Sequence, residues 1–165
     1  MKPGLFIHLI FFFLIMLLVS CNRVQTDYYP NGNIRSEITM KRGHYHGRAT
    51  FHYDDGTILM ECTYVNDSLD GLMTRYYETG TRKEMMFYKR NRPDSIYRLW
   101  NPQEKLLVEC FYRDSLLNGS YREFYNNGQI KSSGQYNHGQ MEGQWLFYDQ
   151  NGYIFKKENY EGKSH

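Results

Sequence analysis

The chain has 165 residues, 41% of them apolar and 17% aromatic, with 20 basic against 18 acidic side chains for a formal charge of +2. That length holds one domain, or two small ones. The aromatic content excludes a disordered tail, and the balanced charge excludes a strongly basic nucleic-acid binder, so no nucleic-acid partner is expected.

Residues 1–20 stand apart from the rest. Lys2 supplies one positive charge, and Leu5 to Val19 is apolar throughout except for His8. This reads as the n- and h-regions of a secretory signal peptide; about 15 apolar residues fall short of the roughly 20 a spanning helix needs. The run closes on Leu18-Val19-Ser20-Cys21, which resembles the bacterial lipoprotein signal. That resemblance implies cleavage before Cys21 and a lipid on its sulfur, with each buried CH₂ contributing about 0.8 kcal/mol to anchoring. Residues 21–27 are then the lipidated cysteine and a short tether. Loss of Lys2 with the signal leaves a charge of +1. The tether lacks the acidic run associated with surface export in some lipoprotein-rich bacteria. The expected location is therefore an outer membrane, with the protein facing the periplasm.

From residue 28 to 165 the sequence is one repeat read about six times. Tyr64, Tyr88, Tyr112, Tyr136 and Tyr160 recur every 24 residues, with Met40 one step earlier. Gly32, Gly56, Gly80, Gly128 and Gly152 share a second slot, broken by Glu104. Gly47, Gly71, Gly119 and Gly143 share a third, broken by Ser95. An aromatic slot reads Tyr28, His52, Tyr76, Trp100, Phe124, Tyr148. A fixed period of this length marks a repeat architecture.

Gly143-Gln144-Trp145-Leu146-Phe147-Tyr148 followed by Asn151-Gly152-Tyr153-Ile154 resembles the MORN repeat, and so does Tyr121 to Ile130. The closer likeness is to a bacterial variant, the YwqK-like antitoxin family. The fourth copy departs from it, with Asn101-Pro102-Gln103-Glu104 where the turn glycine belongs. The antitoxin resemblance implies binding and neutralising a partner protein.

In residues 47–71, Gly47 opens a strand over Arg48–Asp54, and Asp55-Gly56 supplies a tight turn. The return strand runs from Thr57 to about Val65. A looser turn follows over Asn66–Gly71. Along the return strand Ile58, Met60, Cys62 and Tyr64 alternate with Thr57, Leu59, Glu61 and Thr63, as in a half-solvated sheet. The expected fold is all-β: an elongated, single-sheet antiparallel meander of about six 24-residue hairpins, its core built from aromatics along one face. Its two open edges are places for self-association or strand addition.

Candidate chemistry is sparse. Cys62 and Cys110 sit in one slot two repeats apart, too far for a disulfide, and read as buried thiols. His44, His46 and His52 cluster in sequence, but no carboxylate or thiolate joins them at ligand spacing, so no metal is expected. His44 and His46 fall in a turn on this reading. Glu37, Glu61 and Glu109 share a polar-face slot and read as solvent-facing. No phosphate-binding loop, zinc-protease or serine-hydrolase motif is present, so no cofactor and no enzymatic role are expected; an enzyme acting on cell-wall sugars is the remote alternative.

One stretch is strongly basic: residues 75–98 carry Arg75, Arg82, Lys83, Lys89, Arg90, Arg92 and Arg98 against three acidic residues. With Trp100 they form the candidate binding surface, facing anionic headgroups, a cell-wall component or an acidic protein partner. The expected role is a non-catalytic scaffold held at the membrane through its N-terminal lipid.

Overall fold

Two-residue alternation punctuated by regular turn signals produces strands alone. The computed structural model describes residues 22–162, and all its regular elements are strands. They are β1 (Arg23–Tyr28), β2 (Ile34–Lys41), β3 (His44–His52), β4 (Ile58–Val65), β5 (Ser68–Leu69), β6 (Gly71–Tyr76), β7 (Arg82–Lys89), β8 (Arg92–Trp100), β9 (Leu106–Arg113), β10 (Leu116–Phe124), β11 (Ile130–Asn137), β12 (Gln140–Tyr148) and β13 (Ile154–Tyr160). They form one open antiparallel sheet in which the strands lie in sequence order; β5 pairs with β4 alone, and β4 pairs on to β6. At about 4.8 Å per strand, the sheet is roughly 50 Å wide. The expected all-β meander is the fold observed.

The two ends of the hairpins differ. At one end, two-residue turns place both central residues at positive φ: Arg42-Gly43, Asn66-Asp67, Arg90-Asn91, Asp114-Ser115 and His138-Gly139. This is the hairpin turn whose twist matches that of its strands. At the other end, four-residue turns close on Gly32, Gly56, Gly80, Glu104, Gly128 and Gly152, each amide bonding back three residues. Four of these glycines leave open space where a Cβ would be, so their role is the positive φ alone. Glu104 holds the same position at φ 57° without glycine's freedom.

Several local expectations change. Residues 23–27 are not a tether: they belong to β1 and pair with β2 from Arg23↔Met40 onward. Gly47 does not open a strand. It sits within β3 as a bulge at φ +113°, where a Cβ would come 3.1 Å from Thr39. His44 and His46 therefore lie on β3, not in a turn. Asn66–Gly71 is a tight turn, the short β5 and then a bulge, not one loose loop. Ile58 also changes sides. A bulge between Phe51 and His52 breaks the alternation, so Ile58 lines a depression with Glu61, His52 and Thr50 rather than joining Met60 and Cys62.

The main core lies on one face, with Trp100 buried separately on the other. Cross-strand register places Ile38, Ala49, Cys62, Met73 and Met86 in a continuous buried row, with Met40, Met60, Tyr64 and Tyr88 packed against it. In the later repeats the row turns aromatic. Tyr121, Tyr136 and Trp145 meet with centroids 5.2–5.5 Å apart. Gly134 holds the slot of Cys62 and Cys110, and the Trp145 indole lies where its Cβ would be. Such aromatic contacts contribute about 0.5–1.5 kcal/mol each beyond area burial.

Candidate functional site at the basic hairpin ends

The structure disperses the basic surface read from the sequence. Arg75 reaches Glu84 at 3.6 Å, and Arg98 donates to Glu109 at 2.7 Å. Arg82 lies 5.1 Å over the Trp100 ring, and Lys83 sits 5.4 Å from the Tyr77 ring centre, both towards the glycine-turn end. Trp100 is itself buried and is not a contact surface.

Lys89, Arg90 and Arg92 stay together at the tip of the β7–β8 hairpin. Arg113, from the tip of β9–β10, joins them around a cleft of about 500 Å³, with Asp94 and Asp114 on its wall. Backbone bonds between successive tips fix the spacing: Asn91 N donates to Leu69 O at 2.8 Å, and Ser115 N to Pro93 O at 2.9 Å. The Asn91 side chain also accepts from Leu69 N at 2.6 Å. Arg113 stands one repeat after Lys89, so the slot logic that finds the glycines finds it too.

The tips give the sheet a charge polarity. The two-residue turns with their flanking residues (41–44, 65–68, 89–92, 113–116, 137–140) carry a net +4. The glycine-type turns (29–32, 53–56, 77–80, 101–104, 125–128, 149–152) carry a net −5. The chain enters at the basic end, because Arg23 pairs with Met40 beside the Arg42 turn. Cys21 lies outside the described residues.

On the face opposite the core, Glu109 is 7% exposed and held between Arg98 and Arg122. Burial pushes its carboxyl up, but hydrogen bonds from the two guanidiniums outweigh this and hold it below the usual carboxylate range. It is not solvent-facing as expected. Glu61 sits likewise with Arg48 and Tyr76 and is also shifted down; again burial is the largest influence and the hydrogen bonds outweigh it. Both acids are held in ion pairs; beside Glu61 the same depression also holds Glu37 and His52, whose buried Nδ1 makes no hydrogen bond. Cys62 and Cys110 are free and buried, each 3% exposed, as expected. Burial pushes the Cys110 thiol up to about 11, which suppresses thiolate reactivity. His44 is bound to Asp67 at 2.6 Å, and His46 to Asn66 at 3.2 Å.

The turn tyrosines escaped the sequence reading. Tyr29, Tyr53, Tyr77 and Tyr125 each donate a hydroxyl to the carbonyl 23 residues on: His52, Tyr76, Trp100 and Tyr148, at 2.7–2.8 Å. Asn101 fills this slot in the fourth copy: it caps its own turn, accepting from Gln103 N and Lys105 N, and its Nδ2 donates to Asn126 Oδ1 of the next turn at 3.0 Å.

The family described as "MORN repeat variant" matches residues 24–42, 45–66, 69–90 and 117–138, together a little over half of the chain. The unmatched stretch between the third and fourth matches holds the irregular copy. No curated protein matches. Among solved structures, a crystal structure of TarM is 12% identical at a TM-score of 0.37, covering 78% of this chain and 22% of that one. A mutant S. aureus TarM in complex with Fondaparinux, alpha-GlcNAc-glycerol and UDP is 11% identical at 0.39, covering 82% and 23%. The chain spans less than a quarter of either structure's length, and the likeness is too distant to carry a functional argument.

Proposed function

This chain belongs to the MORN repeat variant family, and on that premise we propose that it is a non-catalytic binding scaffold, lipid-anchored through Cys21, that turns its basic hairpin end toward anionic groups at the membrane. The observation that carries this is the coincidence of two polarities. The chain enters at the end whose turns are net positive, and Arg23 is already in the sheet. At about 3.5 Å per residue, a lipid on Cys21 holds that end within roughly 10 Å of the headgroups. Lys89, Arg90, Arg92 and Arg113 then face the surface with Arg42, while the acidic turns point away. Each basic side chain near an anionic surface contributes about 1 kcal/mol, reduced by salt.

The test uses the full chain in a bacterial host, with lipid labelling and site-specific photocrosslinking. Labelling is expected at Cys21 and lost in Cys21→Ala. A photocrosslinker at Asn91 is expected to give envelope adducts, and one at Asp55, on the acidic tips, to give few. Replacing Lys89, Arg90, Arg92 and Arg113 by Gln should remove the Asn91 adducts. Unlabelled wild type refutes the anchor; equal adducts from both tips refute the orientation.

A further inference from the structure

We infer that β1 of a second copy adds to the exposed edge of β13 in repeat register, so that copies join head to tail into one continuous sheet. This stands on the two edges alone and does not depend on the membrane anchor.

Among the described residues, β1 and β13 are the edges of the sheet. They are cuts through the same lattice. β1 holds the slots of β3, β6, β8, β10 and β12, each of which follows a return strand inside the sheet. β13 is a return strand, and its next neighbour in the lattice is a strand of β1's kind running antiparallel to it. The edges therefore fit each other in direction, pleat and register.

The side chains fit as well. Inside the sheet Ser36 pairs with Phe51, Glu37 with Thr50 and Ile38 with Ala49. Five repeats on, the same register sets Lys156 opposite Asp27 of the second copy, Lys157 opposite its Thr26 and Glu158 opposite its Gln25. Opposite charges facing across strands stabilise a pair, and like charges destabilise it. By contrast, a twofold pairing of β13 with itself centred on Lys156 or on Glu158 brings like charges face to face.

The exposed apolar side chains concentrate where this junction forms. Tyr153, Ile154 and Phe155 are 73%, 43% and 67% exposed at one edge, and Val24 and Tyr28 are 55% and 62% exposed at the other. The slot of Tyr28 is covered inside the sheet, as where Arg82 lies over Trp100. In the joined sheet Ile154 takes the place of Arg82 over Tyr28. The contact is heterologous and unclosed, so it propagates into rows instead of stopping at a dimer.

The test is disulfide trapping in the full chain in native membranes. Positions 27 and 156 lie at opposite edges, roughly 50 Å apart by strand spacing. A disulfide needs Cα atoms within about 7 Å, which directly paired strands provide. Oxidised Asp27→Cys/Lys156→Cys is expected to run as a ladder of multimers, while each single variant stays a monomer. Absence of a ladder, or dimers from a single variant, overturns the proposal. Charge reversal gives a second readout. Asp27→Lys or Lys156→Asp alone should abolish co-purification of differently tagged copies, and the two together in one chain should restore it. Failure of the double variant to restore co-purification also counts against the register.

Discussion

At the scale of single residues, Glu109 is the group that most tightly constrains the polar face. Its carboxylate is buried and bound by Arg98 and Arg122, whose side chains remain partly exposed. Removing the acid frees two cations that water can reach, so the cost stays near that of charged hydrogen bonds, about 1.5–3 kcal/mol for Glu109→Gln. The sign with pH follows from its lowered pKa. The stabilisation is fully present above the ordinary glutamate range, near 4.3, and is lost as pH falls through the lower folded value. Denaturant melts of wild type should weaken from about pH 4.5 downward, and Glu109→Gln should flatten that slope; parallel slopes for both proteins would remove Glu109 as the source. Gly134 is the complementary case on the core face. A methyl group there meets the rigid Trp145 indole, so Gly134→Ala should destabilise by about 1–3 kcal/mol and shift Trp145 fluorescence. An unchanged spectrum would mean that the indole does not lie on that backbone. Both sites were partly legible in the sequence. Arg98 and Arg122 share one slot facing the Glu109 slot, but that facing depends on cross-strand register, which spacing within one strand does not reveal. The glycine at 134 breaks its slot visibly, yet only the packed indole explains it.

At the scale of the hairpin, each turn is stapled to the next. The hydroxyl of Tyr53 bonds the Tyr76 carbonyl, and that of Tyr125 bonds the Tyr148 carbonyl. Tyr53→Phe and Tyr125→Phe should each cost about 0.5–1.5 kcal/mol. The two sites are three repeats apart and share no partner, so the double variant should be additive within about 0.5 kcal/mol. Exposed Tyr153, which makes no such bond, provides the comparison: Tyr153→Phe should leave the melting temperature unchanged, and an equal loss there would deny the staple any special role. The strands themselves were readable, because period-two alternation and a 24-residue glycine register leave few alternatives. Three details were not. Gly47 and its equivalents look like strand starts, because glycine marks bulges and turns alike. The bulge beside His52 moves Ile58 to the other face, where simple alternation cannot follow it. Residues 23–27 look like a tether because β1 carries only half a repeat, with Arg23 where the bulge glycine of most other copies stands.

At the scale of the whole molecule, every strand hydrogen-bonds only to the strands beside it in the sheet, side chains reach at most one strand further, as Tyr121 of β10 does to Trp145 of β12, and the main core is a row along one face. Stability in such a body is a sum of local repeat and neighbour contributions rather than the property of one shared core. The row also changes character along its length: methionine, cysteine and isoleucine around β2–β7, then aromatics around Trp145 in β12. The two halves should therefore respond separately to damage. Trp145 contacts Tyr121, Tyr136, Phe147 and Tyr160, and it donates its indole N–H to the Gln135 carbonyl at 3.2 Å. Trp145→Ala removes the centre of that cluster at a cost of about 3–5 kcal/mol. In a globular core that loss would lower protection everywhere. Here, amide hydrogen exchange should rise sharply across β11–β13, moderately in β10, and hardly at all in β2–β4, because no contact links those strands to Trp145 except through the intervening ones. A uniform increase from β2 to β13 would show that the sheet unfolds as one cooperative unit and would overturn the nearest-neighbour description. The same experiment on wild type bears on assembly, because β1 and β13 should exchange fastest in dilute protein and become protected together as concentration rises.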